Sequence, residues 1–474
     1  MARRLIAAAR KKDRSQRFVY FIYSLLMGIA ALALTPYWIV QGLRQGKYLS
    51  NLGERLGFSF PTLRGLPVDR ARAIWIHAVS VGEALSAVAL ARRLKEEHPE
   101  RPLVVSTTTL TGQALAKERM RFADAVFYFP FDWAFCVRRA LRAVRPALVI
   151  VLETELWPNF LREARQSQVP VIFVSGRISD RSFVRYQKWL GVFGFFLRPF
   201  LRRSLANASA FLMQSEKDAE RIRALGAPAG RVQVSGNLKY DFELPAPTPL
   251  SDWLAAEAHR RGRSPIIVAG SVVATEEPLA LIAFGTLQGE YPKALLVLAP
   301  RKPECFESAA EFIAESHRKF IRRSQLPVPE PSHNGRMPGE FAIPDDVTVL
   351  LLDSIGELAS LYRVADGAFV GGSLVPSGGH NLLEPAAFGK IPVFGPSMEN
   401  FSAVASRFVA AGGAIQVASP EDAGVTWIEL LRNPERAAHM GATARNLVET
   451  SRGATDRAVA EVAGRLDGAA RENG

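Results

Sequence analysis

One glycine-rich segment, residues 371–385 (GGSLVPSGGHNLLEP), contains residue types that can bind a phosphate and a ribose. A predicted strand ends at its first glycine pair, and its second pair precedes a predicted helix. Glycines at a helix start let backbone N–H groups approach a phosphate, whose charge the helix dipole favours. Asn381 and Glu384 are three residues apart, so we expect both on one side of the first turn, where the carboxylate can accept hydrogen bonds from a ribose diol. The alternative is a plain connection in which Glu384 only caps the helix.

Three further segments place a charged or turn-forming residue after a predicted strand or before the interdomain segment. Arg301 follows Pro300 at a strand end, and its planar guanidinium group can bind a phosphate with two hydrogen bonds. Residues 353–358 (DSIGEL) follow another strand, and their backbone can hold a base or a phosphate; equally, they can simply start a helix. Lys239, in residues 236–241 (GNLKYD), is expected to offer a positive charge to a leaving phosphate.

Carboxylates occur at two other predicted strand ends. Glu83 lies where a strand passes into a helix, and a carboxylate there can act as the general base for a sugar hydroxyl. The alternative is that Glu83 only stabilises the helix N-terminus through its dipole. Glu153 and Glu155 lie beside Trp157 in an apolar setting, where carboxylates are costly unless paired or hydrogen-bonded. We therefore expect one of them to orient a substrate or a neighbouring side chain.

These residues are positioned by an alternation of apolar strands and amphipathic helices that occurs twice along the chain. Buried strands separated by helices are typical of a parallel, doubly wound sheet. The predicted strands are 73–80, 102–108, 125–130, 147–153 and 169–176 in the first half, and 265–271, 294–300, 347–353, 367–373 and 391–396 in the second. Ligands bind at the carboxyl ends of such strands. The predicted fold class is therefore α/β, with two Rossmann-like doubly wound domains facing a cleft and an N-terminal membrane-anchor helix.

Length and composition divide the chain further. Its 474 residues are too many for one hydrophobic core, and a proline-rich stretch (ELPAPTPLSDW) predicts a linker. Cys136 and Cys305 form no CxxC or Cys/His cluster, so neither a structural zinc site nor a disulfide framework is indicated. The expected parts are a basic N-terminus and membrane-anchor helix at 1–45, an N-terminal domain at 46–242, the linker at 243–253 and a C-terminal domain at 254–474.

The anchor prediction rests on residues 18–40, which are 23 residues without a charge. As a helix, this stretch is long enough to cross a bilayer core. A cleaved signal peptide and a buried core helix are the alternatives. The basic residues before the stretch favour a cytoplasmic N-terminus and, for a spanning helix, an external remainder, whereas Pro36 can bend the stretch into a shallow insertion.

The formal net charge of +13 favours anionic partners, whether nucleic acid, acidic lipids or phosphorylated small molecules. Residues 181–203 combine six basic side chains with aromatic and aliphatic residues at helical spacing. This pattern suits a membrane interface, and equally a core-facing helix. Nucleic-acid binding is disfavoured because it requires a basic stripe across the expected cleft, and this cluster lies beside the anchor.

Five motifs taken together resemble the 3-deoxy-D-manno-octulosonic acid (Kdo) transferases, which add Kdo to a lipid A precursor. In chain order they are WIHAVSVGE, ETELWPN, SGNLKYD, LAPRKPE and VGGSLVPSGGHNLLEP. The resemblance covers nearly the whole chain. It implies a two-lobed GT-B fold that binds the CMP-Kdo donor in the C-terminal lobe and the lipid in the N-terminal lobe.

The resemblance also implies residue roles. Glu83 would be the general base, with Glu153 and Lys239 in supporting roles, in a direct displacement that inverts the anomeric carbon. CMP contacts would come from Pro300, Arg301, Ile355, Gly356, Glu357, Asn381, Leu382, Leu383 and Glu384. No metal and no cofactor is expected. One position departs from the family pattern, since Val273 stands where a histidine is common.

The implied partners are CMP-Kdo, a lipid A precursor and a membrane surface, the last through the N-terminal helix and residues 181–203, with no nucleic acid. Because CMP-sugars are cytoplasmic, we expect the catalytic domains on the cytoplasmic side of the bacterial inner membrane. For a spanning helix, this expectation is opposite to the orientation that the positive-inside rule predicts. The alternatives are a GT-B enzyme that uses a UDP-sugar and a non-catalytic lipid-binding membrane protein.

Overall fold

The structure is a computed structural model that describes residues 19–29, 32–33, 35, 51–64, 72–327 and 342–472. The chain divides into two compact units. Unit 1 comprises Met1–Phe242 together with Arg452–Gly474, and unit 2 comprises Glu243–Ser451. Each unit is built around its own parallel sheet, as the repeated strand–helix alternation predicts.

Unit 1 has a seven-stranded sheet in the order β3-β2-β1-β4-β5-β6-β7. Its strands are β1 (Ala73–Ala78), β2 (Leu103–Thr107), β3 (Ala125–Tyr128), β4 (Pro146–Leu152), β5 (Val171–Gly176), β6 (Ala210–Met213) and β7 (Val232–Val234). The winding direction reverses between β1 and β4. At such a switch point the connections leave in opposite directions and open a crevice at the carboxyl ends of the strands.

Helices cover both faces of this sheet. In β1, Trp75 packs into the core on one face, while Ile74 and Ile76 pack into the core on the other. Because both faces are buried, the strand reads as a continuous apolar run. Apart from the helical residues near the N-terminus, the described helices of this part of the chain are α1 (Leu52–Arg55), α2 (Val81–Glu97), α3 (Leu110–Arg119), α4 (Ala134–Val144), α5 (Pro158–Gln166), α6 (Asp180–Leu205) and α7 (Glu216–Ala224).

Unit 2 repeats the architecture, with the sheet order β10-β11-β9-β8-β12-β13-β14 and a switch point between β8 and β12. The strands are β8 (Ile266–Val272), β9 (Leu295–Pro300), β10 (Lys319–Arg322), β11 (Val347–Leu351), β12 (Gly367–Val370), β13 (Pro392–Phe394) and β14 (Ile415–Gln416). The helices are α8 (Pro249–Arg261), α9 (Glu277–Gln288), α10 (Phe306–Glu315), α11 (Leu358–Leu361), α12 (Leu383–Ala387), α13 (Ser402–Ala410), α14 (Pro420–Arg432) and α15 (Pro434–Glu449).

The last helix, α16 (Ala454–Glu472), belongs to unit 1. Ala458, Val462 and Leu466 recur every four residues and are buried in the core on the α2 side of the unit 1 sheet. The predicted C-terminal domain at 254–474 therefore has to be corrected, because the chain returns to the first unit to cover that sheet face.

The predicted linker at 243–253 also ends earlier than expected. Helix α8 begins at Pro249, where the missing N–H costs nothing at the first helical position. The Thr248 side chain accepts a hydrogen bond from the Ser251 backbone N–H and starts the helix. Leu250 and Trp253 are buried in the unit 2 core. Proline composition alone could not distinguish a linker from this helix start.

The predicted membrane segment, residues 18–40, lies only partly within the described residues, of which 19–29, 32–33 and 35 are helical. Of the helices that the structure describes, none combines the length and the apolar character needed to cross a membrane. Tyr20 is buried and its ring packs edge-on against Phe200 of α6, with 5.5 Å between ring centroids. One face of this helical segment is therefore docked onto unit 1.

Residues 181–203 form most of α6, and part of the segment faces the core as the second interpretation predicts, while the membrane interpretation stays a prediction. Phe183, Tyr186 and Leu190 pack against the unit 1 core. Phe195 and Phe196 are 85% and 74% exposed. The helix therefore contributes both to the core and to an apolar surface.

Candidate functional site

Two of the predicted catalytic residues follow the two strands that flank the switch point of unit 1. Glu83 lies in the first turn of α2, after β1, and Glu153 directly follows β4. Glu153 has a left-handed backbone conformation, with φ 52°. A residue with a side chain stays in that region only where its surroundings hold it, and here the Glu153 N–H donates to the carbonyl of Val174 in β5 at 2.9 Å.

The Glu83 carboxylate is buried and hydrogen-bonded, with the residue 6% exposed. It accepts from the Val79 N–H at 2.7 Å and from the Ser80 hydroxyl at 3.0 Å. Burial raises the pKa of Glu83 to about 7, and the neighbouring Glu153 charge adds to the rise, while the two hydrogen bonds oppose it. The carboxyl group can therefore exchange a proton near neutral pH, as a general base must.

Glu83, Glu153, Glu155 and Lys239 form one electrostatic cluster. Burial, and then the Glu153 charge, raises the pKa of Glu155. Burial lowers the pKa of Lys239, while the charges of Glu153 and Glu83 oppose that shift. The sequence singled out these four residues in three separate segments, and the fold brings them to the same edge of one sheet.

Lys239 reaches this edge through a short 3-10 turn, Leu238–Tyr240. The Asn237 side chain accepts from the Lys239 N–H at 3.0 Å and donates to the Gln214 side chain at 3.1 Å. The Leu238 N–H donates to the Ser175 hydroxyl at the end of β5. These bonds fix the turn to the carboxyl edge of the sheet.

Glu83 also takes part in the hydrogen bonds that start α2. Ser80 is the N-cap of α2 and its hydroxyl accepts from the Glu83 N–H. A capping contact does not remove the proton-accepting capacity of the carboxylate. Its raised pKa separates it from an ordinary exposed capping glutamate.

In unit 2, Asn381 and Glu384 lie on one side of the turn that starts α12, as predicted. The Asn381 amide donates to the Glu384 carboxylate at 3.1 Å, and its oxygen accepts from the Leu383 N–H at 3.1 Å. Arg301 is exposed and close enough to lower the pKa of Glu384, whose pKa burial raises. The Arg301 N–H donates to the Val272 carbonyl at 2.7 Å, so this basic residue is held at the switch point of unit 2.

The glycine amides of residues 371–385 are occupied within the protein. Gly371 donates to the Gly270 carbonyl at 2.8 Å, Gly378 to the Ser397 hydroxyl at 2.9 Å and Gly379 to the Gly372 carbonyl at 2.8 Å. Gly372 donates to the carboxylate of Glu276. The prediction that these amides bind a phosphate is therefore wrong, because the loop uses them to hold its own shape.

Glu276 takes the place that an anionic ligand would have in such a loop. Its carboxylate is buried and also accepts from the Ser373 and Leu374 N–H groups, each at 2.9 Å, and from the Val273 N–H at 3.3 Å. Successive backbone N–H groups form an anion-binding concavity. Here a side chain fills that concavity, so Arg301, which is exposed, remains a candidate for phosphate contact in this region.

The other predicted nucleotide contacts differ in what they can offer. Ile355 is 59% exposed, and the left-handed Gly356 has open space beside it. The buried Glu357 carboxylate accepts from Arg323 at 2.8 and 3.0 Å. A ligand can therefore meet this turn at Ile355 and beside Gly356, but not through the Glu357 side chain. The side chains of Pro300, Leu382 and Leu383 are buried, so they too would contribute backbone only.

Sequence reasoning missed Glu276, Arg323 and His380 as parts of this site. His380 lies beside Arg301, and burial lowers its pKa to about 4. Its ring packs on Gly372, where a Cβ atom would come within 2.9 Å of the ring. A glutamate three residues after Val273 and next to a helix start was the one available signal for Glu276. Among the described residues, no three His, Cys, Asp or Glu side chains group in a way that could hold a metal ion.

Comparison with known proteins agrees with these motifs. The family model of 3-deoxy-D-manno-octulosonic-acid transferase (kdotransferase) matches residues 50–242. The chain is 32% identical to the 3-deoxy-D-manno-octulosonic acid transferase of Haemophilus influenzae over 92% of its own length and 96% of the relative's. It is 33% identical to that of Bordetella pertussis, over 82% and 87%.

A solved structure of S. aureus MnaA with UDP matches the fold with a TM-score of 0.50, 14% identity, and coverage of 84% of this chain and 97% of that one. At that identity the likeness concerns the fold alone, and it agrees with two doubly wound α/β units.

Proposed function

Because the chain belongs to the Kdo transferase family of glycosyltransferases, we propose that it moves Kdo from CMP-Kdo to a lipid A precursor of the lipid IVA type, with inversion. The observation that carries this proposal is the buried Glu83 carboxylate at the switch point of unit 1, whose pKa is about 7. A base of that pKa is about half ionised at neutral pH, which suits removal of a proton from a sugar hydroxyl.

In the proposed reaction Glu83 accepts the proton of a glucosamine hydroxyl of the acceptor. The hydroxyl oxygen forms a bond to the anomeric carbon of Kdo, and the bond from that carbon to the CMP phosphate oxygen breaks. The bonding electrons leave with CMP. Glu153 and Lys239, which lie in the Glu83 cluster, balance the charge around this step.

On the donor side, Arg301 binds the single phosphate of CMP, since the loop amides are already engaged. The Asn381–Glu384 pair accepts hydrogen bonds from the ribose hydroxyls, and the exposed turn at Ile355–Gly356 contacts the base. Arg301 and Ile355 are exposed, and the proposed ribose contact would add to the internal Asn381–Glu384 hydrogen bond.

Replacing Arg301 with Ala is expected to weaken CMP binding by about 10- to 100-fold, because a charge-assisted hydrogen bond contributes roughly 1.5–3 kcal/mol. Isothermal titration with CMP measures the change. Lys302→Ala is the matched control, since Lys302 is the next residue, is equally basic and is exposed. Equal affinity of the wild type and Arg301→Ala for CMP would remove Arg301 from the donor site.

The proposed activity is tested by incubating the purified protein with CMP-Kdo and lipid IVA and weighing the lipid product by mass spectrometry. Added mass in Kdo units identifies the donor, the acceptor and the number of transfers. Protection against heat by UDP-sugars but not by CMP would instead support another nucleotide-sugar enzyme. A lipid-binding protein without activity would show no turnover in this assay.

We further propose that unit 1 lies on the cytoplasmic face of the bacterial inner membrane through the helical residues 19–29 and α6. Phe21 and Leu26 are 63% and 60% exposed, and Trp189 on α6 is 54% exposed. Exposed aromatic and aliphatic side chains beside basic residues favour an anionic membrane interface. Such a surface would bring the acceptor lipid to Glu83 without the unit leaving the membrane.

The double substitution Phe195→Ser and Phe196→Ser is expected to raise the vesicle dissociation constant at least about tenfold, since burying each ring contributes about 1.5–3 kcal/mol. Flotation with vesicles of phosphatidylethanolamine and phosphatidylglycerol measures the change. Val425→Ser is the control, because Val425 is an exposed apolar residue in unit 2. A smaller effect of the double substitution than of Val425→Ser would contradict the proposed membrane surface.

A further inference from the structure

A buried hydrogen-bond network connects the N-terminal helical segment to the start of α5. The Tyr23 hydroxyl donates to the carboxylate of Asp132 at 2.9 Å. The same carboxylate accepts from the backbone N–H groups of Asn159 at 3.0 Å and Phe160 at 2.7 Å. Asp132 is 1% exposed. A charge buried to this degree is stabilised only by its partners, so these three donors account for its position.

The network supplies what the start of α5 lacks. Trp157 occupies the N-cap position of α5, and its side chain makes no capping hydrogen bond. The unsatisfied N–H groups of a first helical turn need an acceptor. Asp132, far away in sequence, provides it for two of them, and the Asn159 amide donates to the hydroxyl of Ser24 at 3.0 Å. The helical segment therefore contacts this helix start directly through Ser24 and indirectly through the bond from Tyr23 to Asp132.

The helix start fixes one end of the loop at residues 153–157, which carries Glu153 and Glu155 of the proposed acceptor site. The other end is fixed by the Glu153 N–H bond to Val174 and by the Thr154 hydroxyl, which accepts from the Arg177 N–H at 2.8 Å. Held in this way, Glu153 at the first end of the loop keeps its left-handed backbone conformation. A short loop with one strained residue depends on both of its attachments.

We propose that Tyr23 and Asp132 are positioning residues, through which the docked N-terminal segment holds loop 153–157 in the geometry that Kdo transfer requires. This inference rests on the proposed function and gives the N-terminal segment a role besides membrane attachment. Neither residue needs to touch a substrate, because both act through the start of α5.

Tyr23→Phe tests the inference, since it removes one hydroxyl and keeps the apolar ring that packs on Phe200 with 5.6 Å between centroids. Tyr20→Phe is the matched control. Tyr20 belongs to the same helical segment, but its hydroxyl contacts Ser204 and Asn207, at 3.4 and 3.3 Å, and not Asp132. The measurements use the full chain in mixed micelles with CMP-Kdo and lipid IVA at pH 8, above the pKa of Asp132, which burial raises to about 7.

For Tyr23→Phe we expect kcat to fall about tenfold, as for the loss of one hydrogen bond to a charged group. The KM for the lipid and the affinity for vesicles should stay within about twofold of the wild-type values. The substitution keeps the apolar ring, so it should not change how the protein attaches to a micelle or a membrane. Tyr20→Phe should leave kcat within about twofold. A fall of kcat in both variants, or a fall explained by weaker vesicle binding, would overturn the route through Asp132.

Hydrogen exchange tests the same link without relying on turnover. The backbone amides of Asn159 and Phe160 should exchange at least about fivefold faster in Tyr23→Phe than in the wild type, because local opening exposes them. Their exchange rates should be unchanged in Tyr20→Phe. Unchanged exchange in Tyr23→Phe overturns the inference even if the enzyme is active. If exchange is faster in Tyr23→Phe but the wild-type protein does not transfer Kdo, the link from Tyr23 to the loop is supported. In that case only the proposed function is rejected.

Discussion

Glu83→Gln is expected to reduce kcat for Kdo transfer by about 10³-fold, within the 10²- to 10⁴-fold range of a lost general base. The amide has nearly the shape of the carboxylate, and its oxygen can still accept from the Val79 N–H, so the start of α2 should persist. What is lost is the capacity to take up a proton. Single-turnover assays with CMP-Kdo and lipid IVA measure the change.

The wild-type pH profile is the companion measurement. Because the pKa of Glu83 is about 7, the ionised base becomes scarce as the pH falls below 7, and kcat should fall about tenfold per pH unit there. The residual activity of Glu83→Gln should lack that limb. Glu96→Gln, an exposed position on the same helix, should keep the wild-type rate and profile. A Glu83→Gln variant with wild-type kcat would leave only the capping role.

Glu276→Ala is expected to lower the free energy of unfolding of unit 2 by about 3–5 kcal/mol. The substitution removes the acceptor of four backbone N–H groups at Val273, Gly372, Ser373 and Leu374. A buried donor left without its partner costs about 1–3 kcal/mol, and part of this cost is relieved where water enters. Urea unfolding followed by tryptophan fluorescence measures the loss.

Glu277→Gln is the matched control for this experiment. Glu277 is the neighbouring glutamate and is also buried, but the loop N–H groups of Gly372, Ser373 and Leu374 donate to Glu276 and not to Glu277. Burial raises the pKa of Glu277, because the charged carboxylate loses its solvation there. Neutralising it should therefore change stability by less than about 1 kcal/mol or raise it. Equal losses at both positions would mean that burial alone, and not the loop amides, sets the cost.

Residues 371–385, the donor loop, show that a glycine motif cannot be interpreted without the residues that surround it. Two glycine pairs next to a helix start are typical of phosphate binding, yet all four glycine N–H groups have partners inside unit 2. The glycines are needed for a different reason. A Cβ atom on Gly371 would lie 2.4 Å from the Ser271 carbonyl oxygen. Close approach between neighbouring strand ends, and not phosphate contact, requires the small residue.

The sequence alone determined the fold class, the repeated strand–helix alternation and the spacing of Asn381 and Glu384, because these depend on local periodicity, and periodicity is written in consecutive residues. It also placed Glu83 and Glu153 directly after strands, and Lys239 just before the interdomain segment. Short elements such as α5, β6 and β7 escaped prediction, since few residues carry their pattern.

Only the tertiary structure decided which residues meet. Strand order set the switch points, and with them the cluster around Glu83. The chain returns to unit 1 after unit 2, so that α16 packs on the first sheet. Long-range contacts pair Glu276 with the donor loop and Asp132 with the start of α5. The Glu276 contact joins residues 97 positions apart, and the Asp132 contact joins residues 28 positions apart. Both contacts stabilise the fold because they satisfy buried polar groups. That condition depends on the packed environment and leaves no local periodicity in the sequence.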